Sequence, residues 1–437
     1  MRSLLSFFLC IGISSVIAQS ITTNPLSYYG IGEQSFGSNA IYSALGQNTI
    51  SLFDSTQLNY FNPAAYSSLS TGNTLLSIGI NARLSKFSEQ NLQKGNLANM
   101  PDHFALGFKI SKHVGFAFGL KPFSSRGYEI IENDSINLIQ NKYEGFGGIH
   151  SLFFGSSLSI INLKRTHLSL GFNAAYLFGS ITNSRNSRLF SSSSSFPAGI
   201  DNSTIKLSGL NLDLGISFKQ KISNKQSFCL SSVYSPNIML QNSTISEGLY
   251  YAQLSSNGIV YDTINYESSK VEINNSSLKF GFCYSWDLPN WTRDTRVLHP
   301  SLKLVGSYSN LKSTILTTEN TINLYGLGIQ FMPETKLLQN RTNYKFFEKV
   351  SFRVGYYFQN NTISNLTYKF QNNGFTFGFG LPILMQQSLS SINIGFVLGR
   401  VVSDNSTALA ENYFGVNLGI ILAPASFDRW FKKRKLD

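Results

Sequence analysis

Along most of this chain apolar residues recur at every second position. The clearest instance is His103 to Lys121. Phe104, Leu106, Phe108 and Ile110 alternate with His103, Ala105, Gly107 and Lys109; after Ser111-Lys112-His113, Val114, Phe116, Phe118 and Leu120 alternate with Gly115, Ala117, Gly119 and Lys121. A period of two predicts strands, each with one wholly apolar face. The opposite face carries glycines and polar groups, which suits the lumen of a barrel in lipid better than the interior of a packed soluble sandwich, the rival all-β reading. Each segment supplies about the 9 to 11 residues that a tilted strand needs to cross the hydrocarbon.

The same unit predicts about fourteen strands, near 73–82, 103–111, 114–122, 146–157, 168–179, 207–218, 226–235, 275–286, 300–309, 322–331, 350–359, 374–381, 391–400 and 413–422. An even number closes an antiparallel barrel and leaves both termini on one side, the periplasmic one. The connections at 83–102, 123–145, 180–206, 236–274, 310–321, 360–373 and 401–412 are long and become cell-exterior loops. Those at 111–113 and 219–225 are brief, while 287–299 and 332–349 are longer than ordinary periplasmic turns.

Lipid faces are expected from Leu168, Leu170, Phe172, Ala174, Tyr176 and Phe178, from Leu278, Phe280, Phe282, Tyr284 and Trp286, and from Phe414, Val416, Leu418, Ile420 and Leu422. The opposite parity sends Lys109, Lys121, Asn173, Asn211, Asp213, Lys279, Lys303, Arg353, Asn393 and Asn417 into the lumen, with Leu177, Val233 and Val397 among them. Composition agrees: charged residues make up 13% of the 437, against roughly 25% in a soluble domain. After the N-terminus no apolar run approaches the roughly 18 residues of a membrane helix. The formal net charge of +12 would suit nucleic acid or anionic lipid, but the basic residues are scattered and concentrate only in the C-terminal tail, so no nucleic-acid partner is expected. Outer-membrane lipids are.

Four segments follow. Residues 1–18 read as a signal peptide, with Arg2 before the apolar stretch Leu4 to Ile17 and Ala18 at the cleavage point; a membrane anchor is the alternative, for which the run is short. Residues 19–72 lack strand rhythm but are rich in aromatics, Asn and Ser, and read as a hatch that plugs the lumen or lies across its mouth. A flexible linker would carry fewer aromatics. Residues 73–422 form the transmembrane antiparallel β-barrel, and 423–437 a basic, aromatic periplasmic tail.

The exported leader, the lead Tyr29-Gly30-Ile31-Gly32, the segment Leu58-Asn59-Tyr60-Phe61-Asn62-Pro63-Ala64-Ala65-Tyr66, the strands, and the end Asp428-Arg429-Trp430-Phe431-Lys432-Lys433-Arg434-Lys435 together resemble outer-membrane proteins of the FadL/OmpP1/TodX hydrophobic-compound transport family, particularly its Bacteroidota members. The resemblance implies an N-terminal hatch and passage of fatty acids or other small hydrophobic compounds, with Asn62, Pro63 and Ala64 positioning the hatch. Related barrels also serve as non-transporting subunits of outer-membrane assembly or secretion complexes, and fold alone does not choose between these roles.

Chemical motifs do not add an enzyme. The chain has no phosphate loop, zinc helix or nucleophile elbow, and His103, His113, His150, His167 and His299 are dispersed, so neither a metal nor a cofactor is expected. Cys229 and Cys283 share the inward parity of consecutive strands. Their register decides between a disulfide and two buried thiols. Asp134-Ser135-Ile136 and Asp262-Thr263-Ile264 resemble a short O-glycosylation acceptor motif in exterior loops. In the tail, Arg429, Trp430, Phe431, Lys432, Lys433, Arg434 and Lys435 are candidates for docking a periplasmic or outer-membrane complex subunit; the same residues also suit an interfacial anchor.

Overall fold

A computed structural model describes residues 24–423 apart from 35–38, 72–73, 90–91, 135, 137–138, 190–198, 256–257, 270–272, 290–296, 316–317, 337–349, 365, 367–368, 384–389 and 405–408. The proposed signal peptide and the basic tail lie outside the described residues. The wall consists of β1 (Thr74–Glu89), β2 (Leu92–Lys109), β3 (Val114–Asp134), β4 (Ile139–Asn162), β5 (Thr166–Leu189), β6 (Gly199–Lys221) and β7 (Gln226–Ser255), then β8 (Ile273–Asp287), β9 (Ser301–Ile315), β10 (Thr318–Met332), β11 (Ser351–Ile363), β12 (Phe370–Ile383), β13 (Ser390–Ser403) and β14 (Ala410–Leu422). Each strand pairs antiparallel with its sequence neighbours, and β14 pairs with β1 from Ala410↔Ser88 to Leu422↔Leu76, closing a fourteen-strand barrel. Closure matters in lipid because hydrocarbon offers no partner for the open backbone edge of a sheet.

The predicted faces are the observed ones. Phe118, Leu120, Leu170, Phe172, Phe280, Phe375 and Leu418 are exposed on the outside, whereas Asn173, Arg353, Asn393, Leu177 and Val233 are buried within. What differs is strand length. β4 and β5 have 24 residues each and β7 has 30, while β8 and β9 have 15. A strand of 24 residues runs about 80 Å and one of 30 about 100 Å, far beyond the bilayer, so most of the expected long loops are paired extensions of the wall on the β3–β7 side. Outside lipid both faces meet water and the apolar alternation fades, but backbone pairing continues, as in Ile139↔Leu189 and Glu144↔Ser184. The extension of β7 gains an additional strand, Gly258–Ser269, and this places Asp262-Thr263-Ile264 in a strand rather than a loop. Ile136 stands 92% exposed at the β3–β4 tip. At the opposite barrel end the connections around 287–299 and 332–349 meet in a small ribbon, Val297↔Lys336 and Leu298↔Thr335.

Residues 24–34 and 39–69 lie inside this wall. They form short 3-10 turns at Pro25–Tyr28 and Pro63–Ser68, a helical turn at Ala40–Ser43, and a bridge from Glu33–Gln34 to Ser125 and Ser124 on β3. Ile41, Tyr42, Leu45, Leu58, Tyr60 and Tyr66 are buried in one cluster with Ala105, Phe153, Ala175 and Val305 of the wall. Close approach is possible because wall glycines face the segment: a Cβ on Gly115 would strike the Tyr66 carbonyl, on Gly171 the Pro63 carbonyl, and on Gly328 the Leu45 carbonyl. The segment's own Gly46 has φ +67°, and a Cβ there would lie 2.5 Å from the Leu327 and Tyr356 carbonyl oxygens, a spacing that admits only glycine.

These contacts predict that Gly115→Ala or Gly171→Ala lowers the heat-induced mobility transition of the folded barrel by an amount equivalent to roughly 1–3 kcal/mol, the usual cost of overpacking. Gly95→Ala, whose nearest neighbour would lie 3.9 Å away, leaves the transition unchanged.

Candidate functional site

The lumen is where sequence and fold converge. Two asparagines hold the inner segment in shape. Asn59 donates from Nδ2 to the carbonyls of Thr49 (2.7 Å) and Leu52 (3.1 Å), and its Oδ1 accepts from the Phe61 and Asn62 amides. Asn62 donates to the Ile50 carbonyl (2.7 Å), and its Oδ1 accepts from the Ala64 amide (3.0 Å), capping the turn that Pro63 begins. Both are buried. Asn62, Pro63 and Ala64 therefore sit at the centre of the packing: Pro63 lies against Gly171 and Gly215, and the Ala64 carbonyl accepts from Ser169 of β5. Asn59 has an equal share in this architecture, and reasoning from the sequence gave it no separate role. Its signal was there, in an Asn three residues ahead of Asn62 within an aromatic run.

Charged groups fasten the segment to the wall. Arg126, 2% exposed, donates to the Ser27 carbonyl (2.8 Å), the Gly30 carbonyl (2.5 Å) and Asn183 Oδ1 (3.0 Å). Arg83 bridges Glu33 of the segment (2.8 Å) and Glu411 of β14 (2.7 Å), and so touches the closing pair of strands. Lys303 meets Asp54 at 3.1 Å. Burial raises the Asp54 carboxyl, but the Lys303 charge and the Thr56 amide and hydroxyl outweigh it and hold the group at about 2. Lys121 lies 5.0 Å from the Phe61 ring centroid and 5.6 Å from those of Tyr60 and Phe153, so the segment's aromatics shelter an inward cation.

One cluster is invisible to strict alternation. A register shift between Gly79 and Ile80 leaves Asp102 as an extra residue on β2, so that Asp102 and His103 both turn inward. Asp102 Oδ2 lies 2.5 Å from His103 Nδ1, and Ser77 Oγ lies 2.7 Å from His103 Nε2. The connectivity is that of a hydrolytic triad. Its surroundings are not: Ser77 is 1% exposed, the Tyr60 ring centroid is 4.7 Å from that of His103, and the Asn39 amide lies 3.4 Å from Nε2. With no room for an acyl group, the cluster joins the wall to the inner segment. Cys229 and Cys283 face each other in register on β7 and β8 as buried free thiols. Residues 429–435 fall outside the described residues.

A family model described as BamG matches residues 1–437. No curated protein matches the chain. Among solved structures, the Pseudomonas putida toluene transporter TodX is 12% identical, with 89% of this chain and 99% of TodX covered and a TM-score of 0.51. The Ralstonia pickettii toluene transporter TbuX is 10% identical, with 89% and 98% covered and a TM-score of 0.51. A TodX deltaS2 mutant, a monoaromatic hydrocarbon channel, is 12% identical, with 89% and 99% covered and a TM-score of 0.52. The likeness is one of fold: a fourteen-strand barrel of the kind found in transport channels, in keeping with the FadL/OmpP1/TodX resemblance of the sequence.

The Asp54–Lys303 pair carries a pH signature. Because the folded carboxyl lies near 2 and its ordinary value is 3.8, its contribution is complete above the ordinary value and is lost as pH falls through the folded one. The mobility transition is expected to lose about 2 kcal/mol of stability across that interval, and Asp54→Asn to remove this part of the pH dependence. At neutral pH, Asn62→Ala is expected to cost about 1–3 kcal/mol through the lost cap and the unsatisfied Ile50 carbonyl, read by the same transition.

Proposed function

We propose that this chain, which belongs to the BamG family, is an outer-membrane barrel acting as a subunit of a larger outer-membrane protein assembly or secretion complex. The observation that carries this reading is the filled lumen. Within residues 24–34 and 39–69, Pro25–Tyr28 lies against β3, Ala40–Ser43 against β12 to β14, and Pro63–Ser68 against β2 to β6, and wall glycines meet the segment's backbone without intervening space. Arg126 and His103 hold the segment through buried contacts, and Arg83 and Lys303 through partly buried ion pairs with Glu33 and Asp54. In this reading the inner segment, within the proposed 19–72 hatch, is a permanent core of the barrel, and Asn62, Pro63 and Ala64 keep it in place.

Two further features support it. The β3–β7 extensions give one side of the barrel a tall paired sheet, a rigid surface of the kind a protein partner can dock on. At the short-turn end the Val297–Leu298 and Thr335–Lys336 ribbon joins the two long connections that follow β8 and β10. With the long hairpins facing the cell exterior, that end and the tail are periplasmic. Trp430 and Phe431 then supply contact area, while Arg429, Lys432, Lys433, Arg434 and Lys435 orient an acidic partner surface.

Passive transport of a small hydrophobic compound is the second reading. The fold shared with the toluene transporters favours it, as do Leu177, Val233 and Val397 on the inner wall, which could line a route if the segment near Asn62 moved.

Gentle purification from the native membrane separates the two. The complex reading expects stoichiometric partner proteins with the full chain, fewer of them after deletion of residues 424–437 at matched barrel abundance, and unchanged uptake of fatty acids and aromatic hydrocarbons when the protein is removed. Recovery of the barrel alone, together with loss of uptake in the knockout, would overturn it in favour of transport.

A further inference from the structure

The outer wall across β11–β14 and β1 carries an arrangement that neither role above uses. On the outward parity, strand register places Asn373 opposite Arg400, Arg400 opposite Asn412, and Asn412 opposite Lys86. This makes one unbroken row across four strands, with Arg400, Asn412 and Lys86 exposed. Two residues deeper, the next outward row is wholly apolar: Phe375, Leu398, Phe414 and Leu84. Below it stand Phe377, Phe396, Val416 and Ala82, and the rings of Phe377, Phe396 and Phe414 stack at centroid distances of 4.9 and 6.1 Å. The row on the other side of the cations, Gln371, Val402, Ala410 and Ser88, contains no acid. Glu411, the nearby carboxylate, is turned inward and held by Arg83 and Ser85.

Between the two rows lies an open groove of about 640 Å³ on the outer surface, lined by Leu84, Tyr356, Phe375, Leu398 and Phe414 and bordered by Lys86 and Arg400. Lys86 and Arg400 are two strands apart, about 10 Å between backbones, which their long side chains can span to reach one headgroup. Asn373 and Asn412 add amide donors beside them. We propose that this groove holds a membrane lipid with an anionic, phosphate-bearing headgroup: the phosphate accepts from Arg400, Lys86 and the flanking amides, and an acyl chain lies over Leu84, Leu398 and Phe414. Charge complementarity selects the occupant. Ordinary neutral lipid would leave both cations without a counter-charge at the edge of the hydrocarbon, whereas juxtamembrane cations attract anionic headgroups. The inference rests on the lipid-facing exterior of the barrel and is independent of the choice between complex subunit and channel.

The test is retention of phosphatidylglycerol by the full-length protein after reconstitution in phosphatidylcholine vesicles containing it, detergent extraction and native mass spectrometry. Wild type is expected to keep a defined lipid adduct that the double variant Lys86→Gln, Arg400→Gln loses by roughly tenfold or more. Lys164→Gln with Arg165→Gln, at the opposite barrel end, keeps it. A matched heat-mobility transition establishes that the variants are folded; should the double variant fail to fold, Asn412→Asp, which adds a negative charge to the row, provides the same comparison. Equal retention by the groove variant, or equal loss in the opposite-end control, would overturn the proposal. So would a photocrosslinker at position 412 that captures a protein rather than lipid in native membranes.

Discussion

The pairing of β14 with β1 is the constraint on which the rest of this protein depends. A membrane-spanning sheet must return to its own first strand, since an unpaired edge in hydrocarbon leaves a row of backbone donors and acceptors with no partner. Once fourteen strands close in this way, the lumen has a fixed circumference and has to hold either water, a passenger or protein. Here it holds protein. Glu411 of the closing strand reaches Arg83 of the first strand, and the same guanidinium reaches Glu33 of the inner segment. Closure and filling are thus joined by a single side chain.

Filling the lumen with irregular backbone poses its own problem, because every buried amide and carbonyl has to be satisfied. Regular structure meets part of that need through turns at Pro25–Tyr28, Ala40–Ser43 and Pro63–Ser68. Asn24, Asn39 and Asn62 cap those three turns in turn, and Asn59 ties together the chain on either side of it. The wall contributes Arg126, Ser124 and Ser169 as donors to carbonyls of the segment. An interior built from asparagine, serine and the arginines Arg83, Arg126 and Arg353 rather than leucine alone follows from enclosing a chain with little regular structure.

The same economy explains why a Ser77–His103–Asp102 constellation is built into the buried side of the wall. Two adjacent inward residues need a bulge, the bulge needs a glycine opposite, and Gly79 provides it: a Cβ there would lie 2.6 Å from the His103 ring. The product is a buried chain of polar groups ending at Asn39. The surfaces left outside that packing are the tall sheet of the β3–β7 side, the ribbon at the short-turn end, and the apolar outer belt.

How much of this was legible follows from how local each constraint is. The bilayer imposes a sidedness on every residue of a crossing strand, so alternation alone placed Phe172 and Phe280 outside and Asn173 and Arg353 inside, and located all fourteen wall strands. It also marked residues up to about 72 as something other than wall, while the family resemblance singled out Asn62, Pro63 and Ala64 as holding that segment in position; that Asn62 caps the turn begun by Pro63 came from the structure. Alternation could not give the strands their full length, because beyond lipid the pairing of β4 with β5 is held by backbone and leaves little pattern in side chains. Nor could it foresee Asp102 turning inward beside His103, which depends on one residue of slippage against β1. The register that sets Cys229 opposite Cys283, Arg400 between two asparagines, and Arg83 against a glutamate 328 residues away likewise belongs to the closed barrel. Sidedness is set residue by residue by the solvent, whereas register and filling are set by partners that meet only when the wall closes around the segment inside it.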